Sequence, residues 1–359
     1  MSTITLDARA PAAAPVAARI ADDKTMLRTA AELTRDLVAP RPGIYWADLL
    51  ASAVLGYAAL VGAAMLSGAG AIAAGVVAVL ALYRAMSFIH EVSHMKHAGG
   101  MRGFRQGWDA LVGVPMLIPS FMYEGVHNLH HAKTRYGTVE DPEYLPLALM
   151  KPWTLPVFIL VSALAPLGLL IRYGVLAPLS AIVPGLRRTV VERYSALAIN
   201  PQFRRRAPEG EAKRYWNRVE AAASVWAMAL IALIATGVLP LRAFGIGFAI
   251  ASAVAVLNQV RTLVAHLWEN DGEPMTVTAQ YLDSVNVPPP TLLPALWAPV
   301  GLRYHALHHL LPGLPYHALG EAHRRLSAAL ELDSPFHKAS YSGLPYLAAK
   351  IGRSTLGRR

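Results

Sequence analysis

The chain has 359 residues, 54% of them hydrophobic and only 16% charged, and its mean hydropathy of +0.36 is too apolar for a soluble domain of this size. Its 33 basic residues outnumber 23 acidic ones, but they gather beside the apolar runs, as in Arg187, Arg188, Arg204, Arg205 and Arg206, which is the positive-inside pattern rather than a nucleic-acid footprint. The absence of cysteine excludes disulfides, thiolate metal sites and a thiol nucleophile, so any metal must be held by nitrogen and oxygen.

Residues 1–40 show no signal-peptide pattern. They are expected to form a cytoplasmic segment, flexible over 8–18 and then an amphipathic helix. Crossing ~30 Å of hydrocarbon takes roughly 20 helical residues, and four runs are long enough: 47–67, 69–89, 221–239 and 244–264. Short connections at Gly68 and Pro240 make them two helical hairpins. A third apolar region, 153–184, is interrupted by Pro156, Pro166 and Pro178, which predicts interfacial or re-entrant segments. The hairpin turns carry one charge, Arg242, and are expected outside. Both termini and every large connection then lie in the cytoplasm. The expected architecture is all-α and integral to the membrane: four spanning helices, interfacial helices and a cytoplasmic cap. The segments are 1–40, a membrane domain over 41–335, and a basic tail over 336–359, and the expected location is a bacterial inner membrane.

Nine of the thirteen histidines fall into four groups. His90 and His94 follow the second run and, on a helix, share one face. His127, His130 and His131 form H-x-x-H-H, and so do His305, His308 and His309. His266 stands alone just past the fourth run. Topology derived from length and charge places all nine on one side, although it made no use of the histidines. His97, His317, His323 and His337 read as surface or hydrogen-bonded residues, with His97 the nearest to an extra ligand.

Nine imidazoles exceed the four ligands of a single zinc and divide as four and five between two ions with positions open for oxygen. Iron is the usual choice for oxygen activation. Glu91 also makes the first group H-E-x-x-H, a zinc-protease pattern, but that reading leaves seven of the nine histidines unused. Acids near the ligands can orient imidazoles through the free N–H; Asp141 and Glu269 are the leading candidates, with Glu91 also close. Arg261, inside the fourth run, is expected to snorkel or to pair with an acid or a lipid headgroup.

The order H-x-x-x-H, H-x-x-H-H, H-x-x-H-H, with HNLHHAKTRYGTVEDP from His127 and HALHHLLPGLP from His305, resembles the membrane fatty acid desaturase superfamily over about 45–332. The resemblance implies two iron ions on the nine histidines, molecular oxygen as co-substrate, and a lipid acyl chain that gains a double bond. Hydroxylation or a carotenoid- or alkane-type oxygenation on the same centre is the alternative. Some relatives hold an iron-bound water with an Asn four residues before the lone histidine. Thr262 stands there in this chain, and Asn258 lies one turn earlier. Neither a dinucleotide fingerprint nor room for a haem module is present. Electrons are therefore expected from a separate ferredoxin-like or haem-protein donor, while membrane lipids surround the spans.

Overall fold

The computed structural model describes residues 20–95 and 101–356, and among them there is no β-strand, only helices and isolated bridges. The flexible stretch expected at 8–18, and His97, lie outside the described residues. A short helix, α1 (Lys24–Leu33), is capped by the Asp23 side chain, which accepts from the Met26 N–H.

Helices α2 (Pro42–Met65) and α3 (Gly68–His94) form the first hairpin. Pro42 starts α2 where no backbone donor is needed, and Gly68 turns the chain with a φ of +57°. The two helices pack closely at Gly56, where an added Cβ would lie 2.7 Å from Leu82 Cδ2. At 1.5 Å per residue the 27 residues of α3 run about 40 Å, longer than the ~30 Å hydrocarbon layer. Its last turns, with His90 and His94, therefore extend past the apolar layer.

The chain then makes a short helix (Phe104–Trp108), a π turn and α4 (His127–His130). The third apolar region is a helical run, α5 (Thr154–Ile182), 29 residues long. Pro166 and Pro178 sit in the first turns of their helical segments, where a missing N–H costs nothing, and one 3₁₀ and one π turn absorb the remaining mismatch. The run is thus more continuous than its prolines suggest. With α7 (Gly210–Ala235) and α8 (Leu241–Leu263), the second hairpin, it makes five helices long and apolar enough to cross a membrane. The chain is a multi-pass membrane protein.

The flanks of α5 end on one side. Before it, Ala148 N–H donates to Trp268 O; after it, Leu197 N–H donates to Met122 O and Ile199 N–H to Pro142 O, all within the segments that carry the histidines. Midway, Ser252 of α8 donates to Ala163 O. Both flanking segments are thus tied to the part of the chain that carries the histidines. The helix α6 (Pro184–Tyr194) follows it. A buried ion cluster holds this corner: Arg172 pairs with Glu220, donates to Ser195 Oγ at 2.9 Å, and shares Glu220 with Arg187 at 2.6 Å. Removing one partner of a buried pair strands the other charge. Glu220→Gln is expected to destabilise the protein by roughly 3 kcal/mol, read as a lower unfolding temperature in detergent; an unchanged transition would contradict the clamp.

At the opposite ends of the hairpins, Arg242 donates to Ala64 O at 3.0 Å and to Leu66 O at 3.3 Å. The only charge in the two turns thereby satisfies the open carbonyls that end α2 and ties one hairpin tip to the other. On the histidine side, α9 (Val277–Asp283), α10 (His305–Leu310), α11 (Leu319–Ala329) and α12 (Leu344–Leu356) close the cap. Asn286 joins its pieces: its N–H donates to Ala339 O, its carbonyl accepts from Tyr341 N–H, and its side-chain oxygen accepts from Leu307 N–H at 3.0 Å. Helix α12 buries Leu347 and Ile351 in the cluster around Trp268, and α1 rests on α11, where Arg325 pairs with Asp36 at 2.6 Å.

Candidate metal centre

All nine histidines of the four groups meet on the inner face of the cap, and seven are buried, His94 and His131 being partly exposed. Their nitrogens fall into two sets, each able to hold an ion: His90, His94, His127, His131 and His308, and His130, His266, His305 and His309. Adjacent rings of each H-x-x-H-H motif, rotated by about 100° on the helix, serve different sets: His130 and His131 part company, as do His308 and His309.

The Nε2 atoms face one another closely. His127 and His131 approach to 2.9 Å, His131 and His308 to 3.1 Å, His266 and His305 to 3.0 Å, His130 and His266 to 3.3 Å, and His305 and His309 to 3.2 Å. Adjacent imidazoles bonded at ~2.0–2.1 Å to one cation would have nitrogens roughly 3.0–3.4 Å apart, so the spacing fits a shared ion. His90 Nε2 and His94 Nε2 are buried without a hydrogen-bond partner, which costs free energy unless a ligand satisfies them. Burial, and then neighbouring imidazoles, holds His127, His131, His308 and His309 well below the ordinary histidine range, so these rings are neutral donors. Burial, and then Arg261, does the same for His305.

The far sides of the rings are fixed by acids. His130 Nδ1–H donates to both oxygens of Asp141, at 2.9 and 3.0 Å. Burial lowers the pKa of His130, but the charge and hydrogen bond of Asp141 outweigh it and leave the ring raised. Asp141 is itself fixed by the N–H groups of Gly137 and Glu143, each at 2.8 Å. His127 Nδ1 lies 2.9 Å from Glu143, whose other oxygen accepts from Tyr123 OH at 2.7 Å. His266 Nδ1 lies 2.8 Å from Tyr136 OH, which donates to Asp283 at 2.8 Å. Each contact leaves an Nε2 lone pair aimed at the centre. Burial pushes Glu143 up to about 7 and Asp283 up to about 6. With Glu91, four acids thus surround the histidine sets, and Arg261 is buried beside His305.

Other residues take different places from those expected. Glu269 follows Trp268, which has a φ of +63°, and is exposed; Asp283 stands behind His266 instead. Asn258 lies inside α8 and, among the described residues, makes no hydrogen bond to a histidine. Arg261 is buried and directs Nη2 at His305 Nδ1, 3.2 Å away. Glu91 lies 3.6 Å from His90 Nδ1 and accepts from Tyr45 OH at 2.5 Å and Tyr316 N–H at 3.0 Å. A carboxylate so occupied is poorly placed as the general base of a zinc protease. Tyr123, Tyr136, Glu143 and Asp283 were not among the sequence candidates. His317, His323 and His337 lie outside both sets; His317 accepts from Arg41 N–H at 3.1 Å.

An all-helical, multi-pass chain with two adjoining histidine sets, each able to hold a metal ion, defines the class of protein. It belongs to the fatty acid desaturase family, whose model matches residues 68–341. It is also 51% identical over 328 residues to a ceramide hydroxylase of Caulobacter vibrioides (strain NA1000 / CB15N), a match that covers 91% of this chain and 93% of that protein. Family membership rules out the protease reading of the H-E-x-x-H.

Proposed function

We propose that this enzyme hydroxylates a ceramide-type lipid, in place of the double bond that the histidine pattern suggested. What carries the reading is the likeness to the ceramide hydroxylase, nearly end to end on both chains. The reaction takes one oxygen atom of O2 into a C–H bond of the lipid; the other leaves as water, with two electrons and two protons from a separate donor.

The proposed ligands are His90, His94, His127, His131 and His308 for one iron and His130, His266, His305 and His309 for the other. When bound, two irons supply the oxygen chemistry that an unactivated C–H bond demands and that side chains alone cannot. The protein's part is positioning. Asp141, Glu143 and the Tyr136–Asp283 pair hold the imidazoles in one tautomer and orientation, and burial of the rings keeps bulk water from the reacting carbon. The arginine-rich segments lie on the histidine side, which supports a cytoplasmic centre, in keeping with positive-inside topology.

Expression in a host that makes ceramide but lacks this activity, followed by lipid mass analysis, tests the proposal. The expected product is a ceramide that has gained one oxygen. A ceramide that has lost two hydrogens would restore desaturation, and unchanged ceramides beside altered acyl lipids would move the substrate class.

A further inference from the structure

Beside the histidine sets lies a cavity of about 1020 Å³, between the end of α3, the start of α7 and the arginine-rich segment before it. Its floor is apolar, with Val92, Met95, Phe121, Val126 and Leu129, while eight arginines and two acids, Glu124 and Glu211, reach its walls. Arg105 pairs with Glu124 at 3.0 Å, Arg214 with Glu211 at 3.3 Å and Arg135 with Glu140 at 3.5 Å, but eight arginines outnumber these three acids, and the excess positive charge favours entry of an anion. Two of the arginines are held flat: Arg205 lies 4.5 Å over the Trp216 ring, and Arg105 lies 3.6 Å over that of Tyr215.

Trp216 supplies an independent pointer. It lines the cavity, is only 2% exposed, and its Nε1–H is buried with no hydrogen-bond partner. Buried indole N–H groups are ordinarily paired, so this one lacks an acceptor. Depth indicates where that acceptor comes from. The 26 residues of α7 extend about 39 Å against ~30 Å of hydrocarbon, so its first turns, with Arg214 and Arg218, emerge at the level of lipid phosphates.

From the arginine walls, the apolar floor and the unpaired indole, we infer that this cavity binds a phosphate-bearing amphiphile, the phosphate on the arginines and the acyl chain along the floor. Basic pockets between spanning helices take lipid phosphates in this way. A hollow with an apolar floor suits a lipid better than the face of a protein partner. The site is separate from the metal centre and independent of the reaction proposed there.

The test uses the full chain in uncharged detergent, titrated calorimetrically with dioctanoyl phosphatidic acid, dioctanoylglycerol and inorganic phosphate. Phosphatidic acid is expected to bind at one saturable site, weakening as salt is raised, and the uncharged diacylglycerol at least about 10-fold more weakly. The exposed pair Arg102→Gln/Arg206→Gln should weaken phosphatidic acid roughly 10- to 30-fold, and Trp216→Phe, which keeps a smaller aromatic ring and removes the donor, should also weaken it. Equal affinity for the two lipids, or an unaffected Arg102→Gln/Arg206→Gln variant, overturns the proposal. Inorganic phosphate binding as tightly as phosphatidic acid overturns the amphiphile in favour of a free anion.

Discussion

His130→Ala is expected to abolish turnover, a loss of more than ~100-fold that exceeds the usual effect of outer-sphere changes, while the protein still inserts and is recovered from membranes. The reason is arithmetic as well as chemical. His130 is one of four donors in its set, and without it Asp141, fully buried, loses the ring whose N–H it accepts. His308→Ala, in the five-donor set, should be equally inactive, since it removes the one member of that set contributed by the His305–His309 motif. Iron analysis separates ligand loss from misfolding: wild-type protein should hold two irons per chain, and each variant fewer. Full activity in either variant, or one zinc per wild-type chain without iron, would refute the assignment.

Tyr136→Phe should lower activity by about 10- to 100-fold through one atom. The Tyr136 hydroxyl links His266 Nδ1 to the Asp283 carboxylate. Without it, Asp283 is a buried acid with less to hold it, and His266 keeps only Ser284 Oγ at 3.2 Å. Asp283→Asn should produce a similar loss, and the double variant little more, because both act through one chain of contacts. A purely structural role would spare the metals; here the spectrum of one iron should change while its neighbour's is conserved. Additive losses with unaltered spectra would show that the pair does not position His266.

The gathering of the nine histidines was legible in the sequence because its information is local: i, i+4 spacing and H-x-x-H-H describe faces of a helix, and apolar length with charge brings the helix ends that carry them together. Asp141 was legible for a similar reason, lying in the segment that follows its histidine. The other supports come from distant chain. Asp283 reaches His266 from another helix, and Glu143 reaches His127 across a turn; the weak signal available was an acid beside an apolar stretch, as in Tyr281-Leu282-Asp283. Adjacency misled at Glu269, which follows the left-handed Trp268 and is exposed. Prolines misled in α5, because their effect depends on where in a helical turn they fall.

The way the cap is stitched through Asn286 has a consequence for the order in which the enzyme matures. Each histidine set draws on both ends of the chain: four of the five in one set precede residue 132 and only His308 comes late, whereas in the other only His130 is early. The segment that holds His305–His309 in place is itself fixed by residues 339–341. A ribosome-bound chain therefore lacks a complete set of either kind until synthesis is nearly over. For the proposed iron ligands, loading is then expected only once the C-terminal segment has been made.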